Sequence, residues 1–159
     1  MLAPAILYKD QIEHEFAKRI YDPEYFFYTG YGHCHEVPTI AAKDGRYDYA
    51  ITDLNDNLIG FFSYSVYDVA SAENFGLYSF DKGNPLVTAQ VYREMHRIVR
   101  SCRRVTWKVI SGNPVKRLYD RFCQRYNGKV HRFREVISDS KGVYHDEYIY
   151  EILKSDWNM

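Results

Sequence analysis

The apolar residues of the chain follow two periods, and the points where one gives way to the other mark its elements. From Arg103 to Ile110, alternation rich in β-branched and aromatic residues predicts a half-buried strand. At Gly112-Asn113-Pro114 the period changes. Val115, Leu118, Tyr119, Phe122 and Tyr126 then recur at helical spacing and predict a helix with one apolar face. Asn113 suits the cap of that helix, and Pro114 suits its first turn, where a missing N–H is no loss. The same punctuation occurs earlier. Asn74–Phe80 reads as a strand, Gly83-Asn84-Pro85 breaks it, and Val87, Val91, Met95, Ile98, Val99 and Cys102 form a helical stripe. The resulting strand–helix–strand–helix unit predicts two parallel, neighbouring strands. A ligand crevice is expected at their carboxyl ends, against helix N-termini that attract anions.

The flanking pattern is simpler. Pro4–Lys9 reads as a first strand, and Asp10 opens a helix with Glu13 as capping partner and Ile12, Phe16 and Ile20 facing inward. Glu24–Tyr31 is too aromatic for a bare loop and reads as a short helix or a lid. Gly30, Gly32, Pro38 and Gly45 mark an irregular connection. Arg46–Thr52 and Leu58–Tyr67 alternate around an Asn/Asp-rich turn and predict a hairpin. Asp68–Glu73 reads as a loop. Lys129–Ile137 and Tyr144–Leu153, joined through Asp139-Ser140-Lys141-Gly142, predict a closing hairpin. With no linker or low-complexity tract, residues 1–159 are expected to form one domain.

Composition narrows the classes. Aromatics reach 17%, including 16 Tyr, and charged residues 26%, which argues against disorder. Lys plus Arg and Asp plus Glu are 21 each, for zero net charge. The balance is uneven, because the basic residues between Arg93 and Arg134 face only Glu94 and Asp120. Solvated helix faces account for that run; an anion-binding flank or an RNA surface is the sharper alternative. Cys102 and Cys123 fall on or beside core stripes as small apolar fillers. His33-Cys34-His35-Glu36 lacks a second cluster at a zinc spacing, so no metal is expected. The first residues lack the pattern of a signal peptide, and no apolar run reaches membrane-spanning length, so a cytoplasmic location is expected.

The order of predicted elements, together with Val109-Ile110-Ser111-Gly112-Asn113-Pro114-Val115-Lys116-Arg117-Leu118-Tyr119 and Tyr126-Asn127-Gly128, resembles the GNAT superfamily of acyl-CoA N-acyltransferases. The resemblance implies an α/β (α+β) fold with a single mixed, mostly antiparallel twisted sheet of six to seven strands and about four flanking helices. It implies an N-acetyltransferase that uses acetyl-CoA as cosubstrate and a primary amine of a small molecule or peptide as acceptor, by direct attack. The pantetheine arm would pair with the backbone of Leu77, Tyr78, Ser79 and Phe80, in a wedge where two strands diverge around Phe80 and Ser111. Lys82, Gly83, Asn84 and the turn into Leu86 would hold the pyrophosphate, and Asn113 would stand at the other strand end. Tyr119 matches the position of the family's proton-donating Tyr. A phenol near ~10 serving a thiol near ~8.5 requires little tuning. For the base, Glu73 is favoured over Asp68, Asp81, His33 and His35.

Two departures accompany the resemblance. Ser79–Leu86 carries one Gly where the family has a glycine-rich loop, and the interval from Asn113 to Tyr119 is one residue short. A non-enzymatic GNAT-like binding or regulatory module is therefore the second hypothesis. An RNA-associated protein is the third, and a nucleic-acid partner is not expected because the basic run lacks interleaved stacking aromatics. A homodimer through a hydrophobic face or the last strand is compatible with the pattern.

Overall fold

The computed structural model of the chain describes residues 1–24, 39–68 and 70–157. Its elements are β1 (Leu2–Pro4), a 3-10 turn (Ala5–Tyr8), α1 (Lys9–Arg19), β2 (Arg46–Thr52), β3 (Leu58–Tyr67), β4 (Ser71–Ser79) and α2 (Pro85–Ser101). These are followed by β5 (Arg104–Ile110), α3 (Lys116–Arg125), β6 (Lys129–Ser138), β7 (Tyr144–Leu153) and α4 (Lys154–Trp157). The strands form one seven-stranded sheet in the order β1-β2-β3-β4-β5-β7-β6. β4 and β5 are parallel, as the strand–helix–strand reading requires, and every other pair is antiparallel. Among the described residues no helix is long and apolar enough to cross a membrane.

The two faces of the sheet are covered unequally. α2 and α3 pack on one face over Phe62, Val105, Trp107, Tyr150 and Ile152, with the predicted stripe Val87, Val91, Met95, Ile98 and Val99 fully inside. α1 covers only the β1–β4 half of the other face. There Ile12 and Phe16 meet Ala50, Phe61 and Tyr78, and the Phe16 ring stands edge-on to Phe61, Tyr78 and Phe80.

The beginning of the chain differs from the sequence reading. The first strand covers Leu2–Pro4 instead of Pro4–Lys9, because Pro4 has no N–H to continue the ladder and the chain coils at once into the 3-10 turn. α1 starts without a side-chain cap, and Glu13 accepts a hydrogen bond from the Ile40 N–H at 3.2 Å instead of closing a capping box. β4 also begins earlier than expected, at Ser71, so Ser71–Glu73 is strand and not loop.

Both Gly-Asn-Pro sites use one device. Gly83 (φ 80) and Gly112 (φ 87) take the left-handed conformation that turns the strand end toward the helix. The next side chain then caps the turn: Asn84 Oδ1 accepts from the Leu86 N–H at 2.9 Å, and Asn113 Oδ1 from the Val115 N–H at 3.1 Å.

A bulge decides how the sheet divides. Ser63 pairs with Gly76 and Ser65 with Glu73, so Tyr64 alone faces both Asn74 and Phe75, and Asn74 takes φ 57. A bulge bends its strand and increases local twist. β4 accordingly leaves β5 after only two pairs, Ser71 with Arg104 and Ala72 with Val105. The strands therefore part well before Phe80 and Ser111, where the sequence placed the divergence. β5 remains paired with β7 along its whole length, from Arg104 opposite Leu153 to Ile110 opposite Glu147.

Candidate functional site at the split in the sheet

The parting of β4 and β5 opens a cavity of about 1130 Å³. Its wall includes Phe61, Ser63, Ser65 and Asn74, and also Leu77, Val87, Val115 and Tyr119. Phe61 belongs to the layer beneath α1, whereas Val87, Val115 and Tyr119 belong to the layer beneath α2 and α3. The cavity thus runs through the plane of the sheet and opens toward both faces. Among the described residues, the β4 edge facing β5 pairs with no strand past Ala72, and the facing edge of β5 pairs with none past Val105. An extended polar chain entering the split would run alongside strand edges that do not pair with each other.

Most of the residues singled out in the sequence converge on this cavity. Leu77, Tyr78, Ser79, Lys82, Gly83, Asn84, Asn113 and Tyr119 all line it. Phe80 and Glu73 are not on its wall. The Phe80 N–H donates to Ile59 O at 2.9 Å, its carbonyl accepts from Arg19 Nη2 at 2.8 Å, and its ring lies under the Arg19 guanidinium. Glu73 sits at the root of the split, opposite Ser65. His33 and His35, and the aromatic segment after Glu24, lie outside the described residues.

The turn before α2 is only partly free to hold an anion. The Asn84 N–H donates to Asp81 O at 3.2 Å, and the Leu86 N–H is used by the Asn84 cap. The N–H groups of Lys82 and Gly83 have no partner among the described residues. Space is available, since a Cβ at Gly83 would meet nothing within 4 Å. The Asp81 carboxylate, however, accepts from Asn84 Nδ2 at 2.8 Å and places a negative charge on the turn. Lys82 Nζ stands 3.6 Å from the Glu24 carboxylate, with both side chains largely exposed, and so offers a weakly held cation. Two amides without a described partner, a helix N-terminus and an exposed lysine suit a phosphate; the carboxylate opposes it.

Tyr119 is the buried group with the clearest chemical opening. Its ring stands edge-on to Trp107 at 5.9 Å and to Tyr150 at 6.0 Å. It is 6% exposed, yet its hydroxyl makes no hydrogen bond with the described residues. Buried phenols ordinarily find a partner. Burial raises the Tyr119 pKa above the usual phenol value, because the phenolate would lose its hydration. The phenol is consequently a weaker acid than the sequence reading assumed, and it stays protonated throughout the neutral range.

Three charged strand residues on the wall escaped the sequence reading. Lys108 on β5 and Glu147 on β7 meet across the ladder at 3.0 Å, and the Glu147 side chain is only 16% exposed. Arg46, the first residue of β2, reaches the wall beside Ser65. Each lies in a strand and gives no local signal; only cross-strand register brings it to the split.

Comparison with known proteins bears on the fold. No family model matches the chain, and no curated protein matches it by sequence. Among solved structures, 172 chains match. A probable acetyltransferase of the GNAT family from Chromobacterium violaceum is 18% identical, with 100% of this chain and 88% of that one covered and a TM-score of 0.66. Spermidine N-acetyltransferase from Vibrio cholerae, in complex with CoA and spermine, is 16% identical, with 94% of each chain covered and a TM-score of 0.67. A GCN5-related N-acetyltransferase from Brucella melitensis is 18% identical, covering 99% of this chain and 76% of that one, with a TM-score of 0.61. The chain has the GNAT fold, in a form divergent in sequence.

Proposed function

We propose that the chain is an acyl-CoA-dependent N-acetyltransferase that moves an acetyl group from acetyl-CoA to a primary amine of a small molecule or peptide. The observation that carries this is the through-sheet cavity at the β4–β5 split, with the unpartnered Tyr119 hydroxyl on its wall. The GNAT fold, shared with acetyltransferases, supports it.

In this reaction the donor supplies an acetyl group activated as a thioester. The amine nitrogen forms a bond to the carbonyl carbon, the carbon–sulfur bond breaks, the nitrogen gives up a proton and the sulfur gains one. The chain's contribution follows from its geometry. The edge of β4 from Leu77 to Ser79, beyond its last pair with β5, holds the pantetheine arm, and the Lys82 and Gly83 N–H groups face the pyrophosphate. Asn113 caps the turn at the other strand end and keeps that wall in place.

Tyr119 donates a hydrogen bond to the departing sulfur. Its raised pKa makes full proton transfer to a thiolate near ~8.5 uphill by more than about 2 kcal/mol. The hydroxyl therefore stabilises the charge as it develops, and the proton lost by the amine completes the thiol. The acceptor approaches from the α1 face. Glu73 and Glu147 are the candidates to receive the amine's proton, and Glu147 is the one whose carboxylate lines the cavity.

A second reading, a GNAT-like module that binds without catalysing, is favoured by one observation, the Asp81 carboxylate on the turn where phosphate would sit. Acetyl-CoA separates the two readings. At 100 times its Kd a ligand stabilises by about 2.7 kcal/mol, which for a chain of this length raises Tm by about 5–10 °C. A saturable shift together with thiol release in the presence of an amine is expected. No shift at millimolar acetyl-CoA, with the protein folded, would overturn the proposal in favour of the module.

A further inference from the structure

The acceptor side of the cavity carries a set of hydrogen-bond donors aimed at a group other than an amine. Arg46 and Asp48 on β2 stand directly opposite Ser65 and Ser63 on β3, so the four side chains share the sheet face that α1 covers farther along. Arg46 Nε donates to Asp48 Oδ1 at 2.8 Å, and the Asp48 side chain is only 10% exposed. That bond fixes the guanidinium through one edge. The two terminal nitrogens make no hydrogen bond or ion pair with the described residues, and Arg46 lines the cavity. Ser63 and Ser65 line it too, with hydroxyls that bond to nothing described. Ser63 is kept accessible by its register partner, because a Cβ on Gly76 would stand 2.8 Å from Ser63 Oγ. Tyr67 accepts from Asn74 Nδ2 at 3.3 Å, which leaves its own proton to donate.

A planar guanidinium held by its Nε, with both terminal nitrogens free and hydroxyl donors beside it, matches a carboxylate by parallel charge-assisted bonds. Because Asp48 already orders the arginine, little rotamer entropy is lost when the carboxylate arrives. These donors stand one and two strands from β4, where the bulge at Asn74 and Phe75 opens the split. At about 4.8 Å per strand, an arginine spans the gap to a group held at the bulge. Asp22, Glu24 and Asp44 also line the cavity and would favour a polycation, but all three stand outside the paired strands, and Lys43 on the same wall counters them.

We infer that Arg46, supported by Asp48, Ser63 and Ser65, selects an acceptor that carries a carboxylate as well as its amine, an amino acid and not a polyamine. The inference rests on the acetyl-transfer reading and names its acceptor class.

The test uses the standard L-amino acids, their C-terminal amides and spermidine as probes. Binding to the full chain is followed by calorimetry without donor, and transfer by thiol release with acetyl-CoA. At least one free amino acid is expected to bind, and its kcat/KM should exceed that of its amide by about 100-fold. Arg46→Met should erase that preference by raising KM for the acid far more than for the amide. Arg46→Lys should restore part of it. If Arg46→Met fails to fold, Arg46→Lys and Ser65→Ala should each narrow the ratio. Equal use of acid and amide, preference for spermidine, or no acid binding at all would overturn the inference. Acid-selective binding without thiol release would instead sink the transfer reading and leave the carboxylate site standing.

Discussion

Tyr119 and Tyr150 stand 6.0 Å apart, ring centre to ring centre, and only one of them has a use for its hydroxyl within the fold. Tyr150 donates to Asp120 Oδ1 at 2.7 Å, and Lys116 Nζ holds the same carboxylate at 2.9 Å. Tyr119 has no such partner and lines the cavity. Tyr119→Phe should therefore lower kcat by about 10–100-fold with little change in acetyl-CoA affinity, and should leave stability within about 0.5 kcal/mol. Tyr150→Phe should do the reverse, costing about 1 kcal/mol of stability through the lost hydrogen bond to Asp120, which keeps its contact with Lys116. Steady-state kinetics and urea unfolding of both variants separate the roles. Full activity of Tyr119→Phe at neutral and alkaline pH would remove the hydroxyl from the reaction.

Asp81 offers a test of the phosphate turn that improves function instead of impairing it. Asp81→Asn keeps an acceptor for Asn84 Nδ2 and removes the charge. If pyrophosphate sits against the Lys82 and Gly83 amides, the variant should bind acetyl-CoA several-fold more tightly, about 3–10-fold at low salt, with the gain shrinking as ionic strength rises. Gly83→Val should act oppositely. The space is open there, but a β-branched residue at φ 80 is strained, so the turn shifts and the cofactor is held less well. An unchanged Kd for Asp81→Asn would place the phosphates elsewhere.

The two candidate bases can be told apart by the shape of the pH profile. Replacing the group that takes the amine's proton should lower kcat/KM at neutral pH by about 10²-fold, with recovery as pH rises and the free amine accumulates. Glu147→Gln is expected to behave this way, because the carboxylate lines the cavity and β7 is paired on both sides at that residue. Glu73→Gln is expected to change kcat/KM by less than about 3-fold. A large loss in Glu73→Gln with none in Glu147→Gln would reverse the assignment.

His96 predicts how the fold responds to acid. Burial between α2 and α3 lowers its pKa below the ordinary 6.5, and Arg125 and Arg100 push the same way. The unfolded chain therefore binds the proton more readily than the folded one. The neutral ring's contribution is complete above pH 6.5 and is lost as the pH falls from there through the folded pKa. Urea midpoints measured from about pH 7.5 down to about pH 5 should fall for the native sequence, and less steeply for His96→Gln. Equal slopes would show that His96 plays no part.

Much of the fold was legible because its signals are local. The stripe Val87, Val91, Met95, Ile98 and Val99 appears at helical spacing, and the structure buries all five. Each Gly-Asn-Pro announces a strand end and a helix start within three residues, and both behave as the dihedral angles require. What escaped the sequence depends on register. Nothing near Asn74 says that Tyr64 will face two residues, yet that mismatch bends β4 and sets where the sheet opens. Arg46, Lys108 and Glu147 come from three strands, and each is an ordinary surface charge until its neighbours are known. The first strand was misplaced because Ala5–Tyr8 is apolar enough for either state, and only Pro4 decides.

The passage through the sheet has a consequence for traffic. On the acetyl-transfer proposal, a donor entering by the helix N-termini and an acceptor arriving beneath α1 would use separate doorways, so neither would block the other and neither would have to leave first. Initial-rate plots should intersect for every acceptor, and a dead-end mimic of one substrate should leave the other's entrance open.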